Sequence, residues 1–306
     1  MNRVLSFIFD AEDESRLDKY LVGKVPSLSR AKIQNFISAG MARVNDQLVQ
    51  KPAHHLETGD KIEFVISESA DEEVAEERGG LDVLYVDESV VVINKAAGQV
   101  VHPGAGHSGG TLVNTALGLW PEMREVGEPT RPGVVHRLDK DTSGVLLLAR
   151  NQVAYEWLVK QFKSRKTQKT YLALVDGAPP TPTGKIEAAV ARDAQHRQRM
   201  AVAYAGSGRK ATTEYHTIKG FGHHTLLEVR PLTGRTHQIR VHMAFLGCPV
   251  TGDRVYGRRK PSLPISRFFL HASRIKIMLP GETQFTEFSA PLPGDLEQVL
   301  KNLEKG

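Results

Sequence analysis

The chain has 306 residues, a formal net charge of +5 from 40 Lys and Arg against 35 Asp and Glu, and 40% hydrophobic residues. At roughly 150 residues per domain this length suits about two domains, and the apolar share excludes disorder over most of the chain. The single cysteine, Cys248, excludes an intramolecular disulfide framework and a Cys-cluster metal site, and no apolar run approaches the roughly 18 residues of a membrane helix.

The first residues, MNRVLSFIFDAEDE, carry an apolar patch too short for a signal peptide, with acids right behind it, so a reducing cytoplasmic setting is expected. Arg16–Val25 reads as a helix, with Leu17, Tyr20 and Leu21 at helical spacing. Ser29 is a natural N-cap for a second helix, Arg30–Ala39, which stops at Gly40. A turn at Asn45-Asp46 then separates MARVN from QLV, and Thr58-Gly59-Asp60 leads into KIEFVIS. Residues 1–65 are therefore expected to be a small unit of two helices and a short β unit. Its bases Arg16, Lys19, Lys24, Arg30, Lys32 and Arg43 gather on the helical part and the turn after it.

Residues 66–80 are acidic, hold Val74 among few apolar residues and end in Gly79-Gly80, the composition of a flexible linker. Within them, 68–78 (ESADEEVAEER) holds six acids and one base, so the rest of the chain carries about +10. A folded surface of that sign favours a polyanion through counterion release.

Beyond the linker, residues 81–306 show recurring strand-like runs: VLYV, SVVVINK, QVVH, GVVH, GVLLLA, TYLALVDG, TEYHTI, TLLEVRPL and RIKIML. Helical stretches are fewer, namely Thr111–Leu119, Val153–Lys163 and Thr236–Leu246. Strands mostly follow strands, which predicts an α+β domain with a mixed, largely antiparallel sheet. Gly104-x-Gly106-x-x-Gly109 imitates a dinucleotide fingerprint, with Glu128 about twenty residues on. However, Glu128 sits in a turn-rich stretch and Pro103 removes a donor where the tight turn would begin, so a glycine-rich connection is the better reading. The histidines lack metal-ligand spacing, and neither a G-x-S-x-G elbow nor a Walker loop is present.

In Arg131–Arg150 two apolar strands, GVV and GVLLLA, are expected to flank the polar segment His136–Gly144. Asp139 would then sit on a tight connection held at both ends, which suits a catalytic carboxylate. The same pattern fits a polar turn in which Asp and Ser cap backbone donors. In Val229–Gly247 a strand ends at Thr233-Gly234 and a helix is expected to begin with Thr236 as its N-cap. Arg235 precedes that helix, and Arg240 lies on the same side as His237. Arginine is suited to hold a carboxylate or phosphate bidentately, although a solvated basic face reads the same way. Three basic runs interleave with aromatics: Leu158–Tyr171, Arg192–Lys210 with Tyr204, and Arg254–Arg267 with Tyr256. Together with the basic N-terminal unit they form a nucleic-acid footprint.

His136-Arg-Leu-Asp-Lys-Asp-Thr-Ser-Gly144 resembles the catalytic signature of the RluA-type pseudouridine synthases. Asn94-Lys95-x-x-Gly98 with Val101-His102-Pro103, Lys169-Thr-Tyr171-x-Ala173, Gly234–His242 and Leu270-His-Ala272 resemble the family's other motifs, in order. Residues 16–64 resemble the RNA-binding domain named after small-subunit ribosomal protein four. That combination is most similar to the RluD-like branch, which acts on large-subunit ribosomal RNA. The resemblance implies isomerisation of uridine to pseudouridine within RNA, with no cofactor and no metal. Asp139 matches the essential aspartate. It would attack the ribose anomeric carbon, attack uracil carbon-6, or abstract a ribose proton, and the sequence leaves all three routes open. Arg240 matches the arginine that orients this carboxylate and favours its charged form. Tyr171 matches the residue that stacks on the uracil and helps move the carbon-5 proton, and Leu270 an apolar residue packed on the base. Arg137 matches a residue that fills the space of an extruded nucleotide. Lys169, Arg235 and His136, inside the matching motifs, are expected to contact substrate, and Arg16, Lys19, Arg30, Lys32 and Arg43 to contact RNA phosphates. The implied partner is large-subunit ribosomal RNA, free or within an assembling subunit, bound by a monomer with no membrane association. Two rival readings are an assembly factor with the fold but no chemistry, and a synthase acting on transfer RNA.

Overall fold

The structure is a computed structural model that describes residues 2–10, 15–26, 28, 30–67, 74–104, 109–193, 195–196, 199–203 and 207–305. The chain divides into two compact units, Met1–Glu73 and Val74–Gly306. No helix among the described residues is long and apolar enough to cross a membrane.

The first unit contains β1 (Asn2–Ile8), α1 (Leu17–Lys24), α2 (Arg30–Ser38), β2 (Ala42–Val44), β3 (Gln47–Val49) and β4 (Lys61–Ser67). The strands form one sheet in the order β1-β4-β2-β3. Leu17, Leu21, Ile33 and Ile37 of the helices pack with Ile62 and Phe64 of β4, all fully buried, each contributing roughly 1.5–3 kcal/mol. Asn45 and Asp46 both have positive φ, the geometry of the two-residue turn that matches strand twist. The N-terminal apolar patch, unassigned from sequence, is β1, paired along its whole length with β4. The proposed cap Ser29 and the side chain of Lys32 lie outside the described residues, as do 68–73, the glycine-rich 105–108 and Tyr204.

The second unit contains β5 (Val83–Val86), β6 (Val90–Lys95), α3 (Leu112–Leu119), β7 (Gly127–Glu128), β8 (Arg131–Pro132), β9 (Ser143–Ala149), α4 (Gln152–Lys163), β10 (Gln168–Asp176), β11 (Thr183–Glu187), β12 (Val190–Arg192), β13 (Met200–Val202), β14 (Thr212–Phe221), β15 (His224–Pro231), α5 (Gln238–Phe245), β16 (Leu270–Ile277), β17 (Thr286–Ser289) and α6 (Gly294–Lys305). A mixed nine-stranded sheet runs β11-β14-β15-β10-β16-β9-β6-β5, with β17 also on β16. Every pairing in it is antiparallel except β9 with β16. The expected α+β class therefore holds.

β9 is buried on both faces. Leu146 and Leu148 enter one core with Leu112 and Ala116 of α3, while Val145, Leu147 and Ala149 enter another with Ala154 and Leu158 of α4. Its period of two thus serves both cores, so a one-residue slip would exchange them. At its start Gly144 has φ +114, and a Cβ there would lie 2.2 Å from the Ala272 carbonyl oxygen. Only glycine lets the parallel strands approach so closely.

Several expectations fail. QVVH forms no strand, and GVVH contributes only an isolated bridge between Val134 and Leu148, so Asp139 is held by a core strand on one side alone. β11, β12, β13, β17 and α6 had no expected counterpart. Residues 66–80 are not a free linker throughout. Ile66 and Ser67 finish β4, while Val74 is 3% exposed in the core beside α3. The Glu77 amide donates to the Asn114 carbonyl, and Glu76 pairs with Arg124. Among the described acids, Glu76 and Glu77 misled because their carboxylates meet specific partners within the second unit, Arg124 and the Gly110 amide.

Candidate active site

Separate sequence segments converge on one cleft of about 480 Å³: the loop before β9, the end of α4 with the turn after it, the start of β10, Arg209 ahead of β14, the turn from β15 into α5, the first turn of α5, and the start of β16. They bring together Arg137, Asp139, Tyr171, Arg240 and Leu270, with Lys169, Arg235 and His136 also in the lining. Asp139 is the sole carboxylate among these lining residues.

The loop carrying Asp139 is fixed through its backbone. The Thr142 amide donates to the Asp139 carbonyl. The Lys140 carbonyl accepts from Lys95 Nζ at 2.9 Å and from the Gly98 amide at 3.0 Å. Lys95 is fully buried and also donates to the carbonyls of Ala96 and Gln99, and burial pulls its ammonium down to about 8. Arg267 donates to the Asp141 carbonyl at 3.1 Å while paired with Asp295. On the strand side, the buried Ser143 hydroxyl meets Nδ1 of His271 at 3.0 Å.

Arg240 holds the carboxylate. Its Nη1 donates to Asp139 Oδ2 at 3.2 Å. Its other edge grips Asp253, Nε to Oδ2 at 2.6 Å and Nη2 to Oδ1 at 3.0 Å. The guanidinium lies 4.3 Å from the Phe268 ring centroid and 5.0 Å from that of Tyr256. Burial works against its charge, yet the bonds and charges of Asp253 and Asp139 more than offset this and hold it above the usual arginine value. Asp253 is 3% exposed and also accepts the amides of Val255 and Tyr256. Sequence reasoning missed it because its partner arises from a loop folding back on α5.

His237, expected on the same side of the helix as Arg240, was given no role from the sequence. It has φ +56, and its Nε2 lies 4.0 Å from Asp139 Oδ2. Its Nδ1 is 2.8 Å from the Tyr256 hydroxyl, whose oxygen accepts the Met200 amide. Thr236 is not the N-cap of α5, which begins at Gln238. The N-cap position is His237, which makes no side-chain cap bond, and Gln238 instead fixes the preceding turn, its Oε1 accepting the Arg235 amide at 3.0 Å and the Thr233 hydroxyl at 2.7 Å.

The remaining positions divide by environment. Tyr171 is 9% exposed, and burial with the Asp139 charge holds its phenol far above the usual value. Leu270 lies beside it on β16, opposite Ala173. Arg137 is exposed at the rim. Burial, helped by the Lys169 charge, brings His136 down to about 3, so it stays neutral and its Nε2 accepts the Leu147 amide at 2.9 Å. Burial and the Arg235 charge lower Lys169 to about 8.

In the N-terminal unit, Arg16 and Arg30 both bind the fully buried Asp18, at 3.1 and 2.8 Å, joined by Gln34. Burial would raise the Asp18 carboxyl, but the bonds from Gln34, Arg30 and Arg16 overcome it and hold it at about 2. These two arginines therefore do structural work, with 41% and 49% of their side chains left exposed. Arg43 is exposed and donates to the Asp46 carbonyl, and Lys19 is exposed on α1.

Residues 89–245 match the family model described as RNA pseudouridylate synthase, and residues 15–62 match the S4 domain. An uncharacterised RNA pseudouridine synthase of Chloroflexus aurantiacus is 45% identical over 94% of this chain and 90% of its own length. The ribosomal large subunit pseudouridine synthase D of Zymomonas mobilis is 37% identical over 94% of this chain and 93% of its own. Among solved structures, human RNA pseudouridylate synthase domain containing 4 superposes with a TM-score of 0.58 at 25% identity, covering 72% of this chain and 92% of that one. With a full-length likeness of this degree, the five ordered motifs and an S4 domain ahead of them, the chain belongs to the RluA-type RNA pseudouridine synthases.

Proposed function

We propose that this enzyme isomerises specific uridines of large-subunit ribosomal RNA, with Asp139 as its essential carboxylate. The carrying observation is the Asp139–Arg240–Asp253 chain, which presents one fixed carboxylate in a cleft whose other lining residues are basic, neutral polar or apolar. The ribosomal target is supported by the large-subunit activity named for relatives such as the Zymomonas mobilis protein. The S4 domain supports an RNA anchor that contacts phosphates rather than bases. The setting is the cytoplasm, on free ribosomal RNA or an assembling subunit.

The reaction breaks the bond from uracil nitrogen-1 to ribose carbon-1′, turns the base, joins carbon-5 to carbon-1′ and releases the carbon-5 proton, while nitrogen-1 takes up a proton, so that the composition is unchanged. The three routes for Asp139 all require a carboxylate held at a defined angle, and Arg240 provides that hold. Tyr171 keeps its proton at neutral pH, so it serves as a stacking surface and hydroxyl donor, with Leu270 packing on the same base. Extruding the uridine costs a few kcal/mol, part of which Arg137 offsets by filling the gap in the stack.

Tritium release from large-subunit RNA labelled at uracil carbon-5 tests this reading. Wild type should release label and Asp139→Asn should not. Tight binding without release, from both free RNA and assembly intermediates, would replace the proposed activity with an assembly role.

A further inference from the structure

One wall of the cleft carries positive charge that the protein itself does not neutralise. Arg165, Lys169, Arg209 and Arg235 all line the cleft. Lys169 feels the charge of Arg235, and Arg235 in turn feels those of Arg209 and Arg165. Among the described residues no carboxylate pairs with any of the four. Among the described residues, the hydrogen bond from an Arg235 side-chain nitrogen runs to a backbone carbonyl, that of Lys210 at 3.1 Å. Like charges gathered in a concave, partly dehydrated site oppose folding unless an anion arrives to join them.

The backbone at Arg165 supplies an independent sign. α4 ends in a Schellman closure, in which the Lys166 amide donates to the Gln161 carbonyl and the Arg165 amide to that of Phe162. The left-handed position of such a closure ordinarily holds glycine, yet here it holds arginine, at φ +59. A strained backbone that aims a cation at a cleft points to a ligand for that cation. Arg209 is fixed from the other side by a reciprocal pair of backbone bonds with Val190.

We propose that Arg165, Lys169, Arg209 and Arg235 form a phosphate-binding subsite that grips the RNA backbone beside the target uridine. The inference rests on the reading that the Asp139 cleft is where RNA reacts. Lys169 and Tyr171 are two residues apart on β10 and both line the cleft, about 6.5 Å apart along the strand. A phosphate held at Lys169 therefore leaves its own nucleotide's base within reach of the Tyr171 ring. Phosphates are present in every sequence, so this subsite supplies affinity and register, and the shape of the RNA supplies choice.

The test uses the full-length protein with Asp139→Asn and a large-subunit RNA transcript, with affinity measured across a salt series. Each single-strand phosphate contact contributes about 0.7 to the slope of log affinity against log salt, so Arg165→Ala with Arg209→Ala should lower it by about 1.4. The same pair in otherwise wild-type protein should raise KM for RNA several-fold and change kcat less. Arg165→Gly supplies a fold-independent check: glycine relieves the left-handed strain, so Tm should hold or rise while RNA affinity falls. An unchanged slope in both variants overturns the subsite. So does a falling Tm for Arg165→Gly with undiminished affinity. Tritium release by wild type separates the two levels. Release with an unchanged slope removes the subsite alone, whereas a lowered slope without release keeps the subsite and removes the proposed chemistry.

Discussion

Asp253→Asn and Asp139→Asn should separate the carboxylate that supports the site from the one that reacts in it. Asp253 is buried, makes two bonds to Arg240 and accepts two backbone amides. The substitution turns one acceptor facing the guanidinium into an amide donor and leaves a buried cation short of its main partner. Breaking a buried pair in this way costs about 3–5 kcal/mol. At roughly 2–4 °C per kcal/mol for a domain of 150–250 residues, the catalytic unit should lose about 10 °C in Tm. Arg240 would then drift, and a displacement near 1 Å costs on the order of 100-fold in rate. Asp139, in contrast, keeps 19% of its side chain exposed and makes one bond to Arg240, at 3.2 Å. Its loss should cost about 1 kcal/mol or less in stability while abolishing tritium release. Thermal melts of the two variants beside wild type, with release measured on the same preparations, give the comparison. A melt for Asp139→Asn as low as that of Asp253→Asn, or an Asp253→Asn melt equal to wild type, would refute the division of roles.

Three further outcomes follow from the same geometry. Lys169 has its pKa lowered to about 8, so it carries charge below that pH and loses it above. kcat/KM for RNA should therefore fall above about pH 8 and then level off, and Lys169→Arg should remove that limb. A limb that survives Lys169→Arg would assign it elsewhere. His136 is lowered to about 3, so below about pH 6.5 the unfolded chain takes up a proton that the folded chain refuses. Stability from this group is full above pH 6.5 and declines by about 1.4 kcal/mol per unit beneath it. Unfolding free energies from urea titrations at pH 7 and 5 should thus differ less in His136→Gln, by about 2 kcal/mol. Two truncations test the strap ahead of β5. A chain starting at Val74 should keep the Tm of the catalytic unit and lose RNA affinity more than turnover. A chain starting at Leu81 also loses the buried Val74 side chain, about 1.5–3 kcal/mol, and should melt several degrees lower. Equal melts would show that the strap carries no stability.

The sequence by itself determined the elements with strong local periodicity and the family to which the motifs belong. α1, α2, α3 and α4 fall within a residue or two of expectation because each presents apolar side chains at helical spacing with a local start or stop. β6, β9, β10 and β15 were legible because continuous apolar runs of that length read as buried strands. Local reading failed where partners are distant. GVVH and GVLLLA both read as strands, yet only the second finds neighbours on both sides, β6 and β16. β1 became a strand because β4, some sixty residues on, offers its whole edge. The acids of 74–80 read as solvated linker because the backbone donors and the Arg124 charge that receive them belong to remote segments. The site divides in the same way. Asp139, Tyr171 and Arg240 stand inside recognisable motifs. Lys95 and His237 also stand in such motifs, but their contacts, like those of Asp253 and Tyr256, come from closure alone. Whether a carboxylate is a surface charge or the anchor of a buried guanidinium depends on which side chains exclude water from it, and tertiary packing decides that.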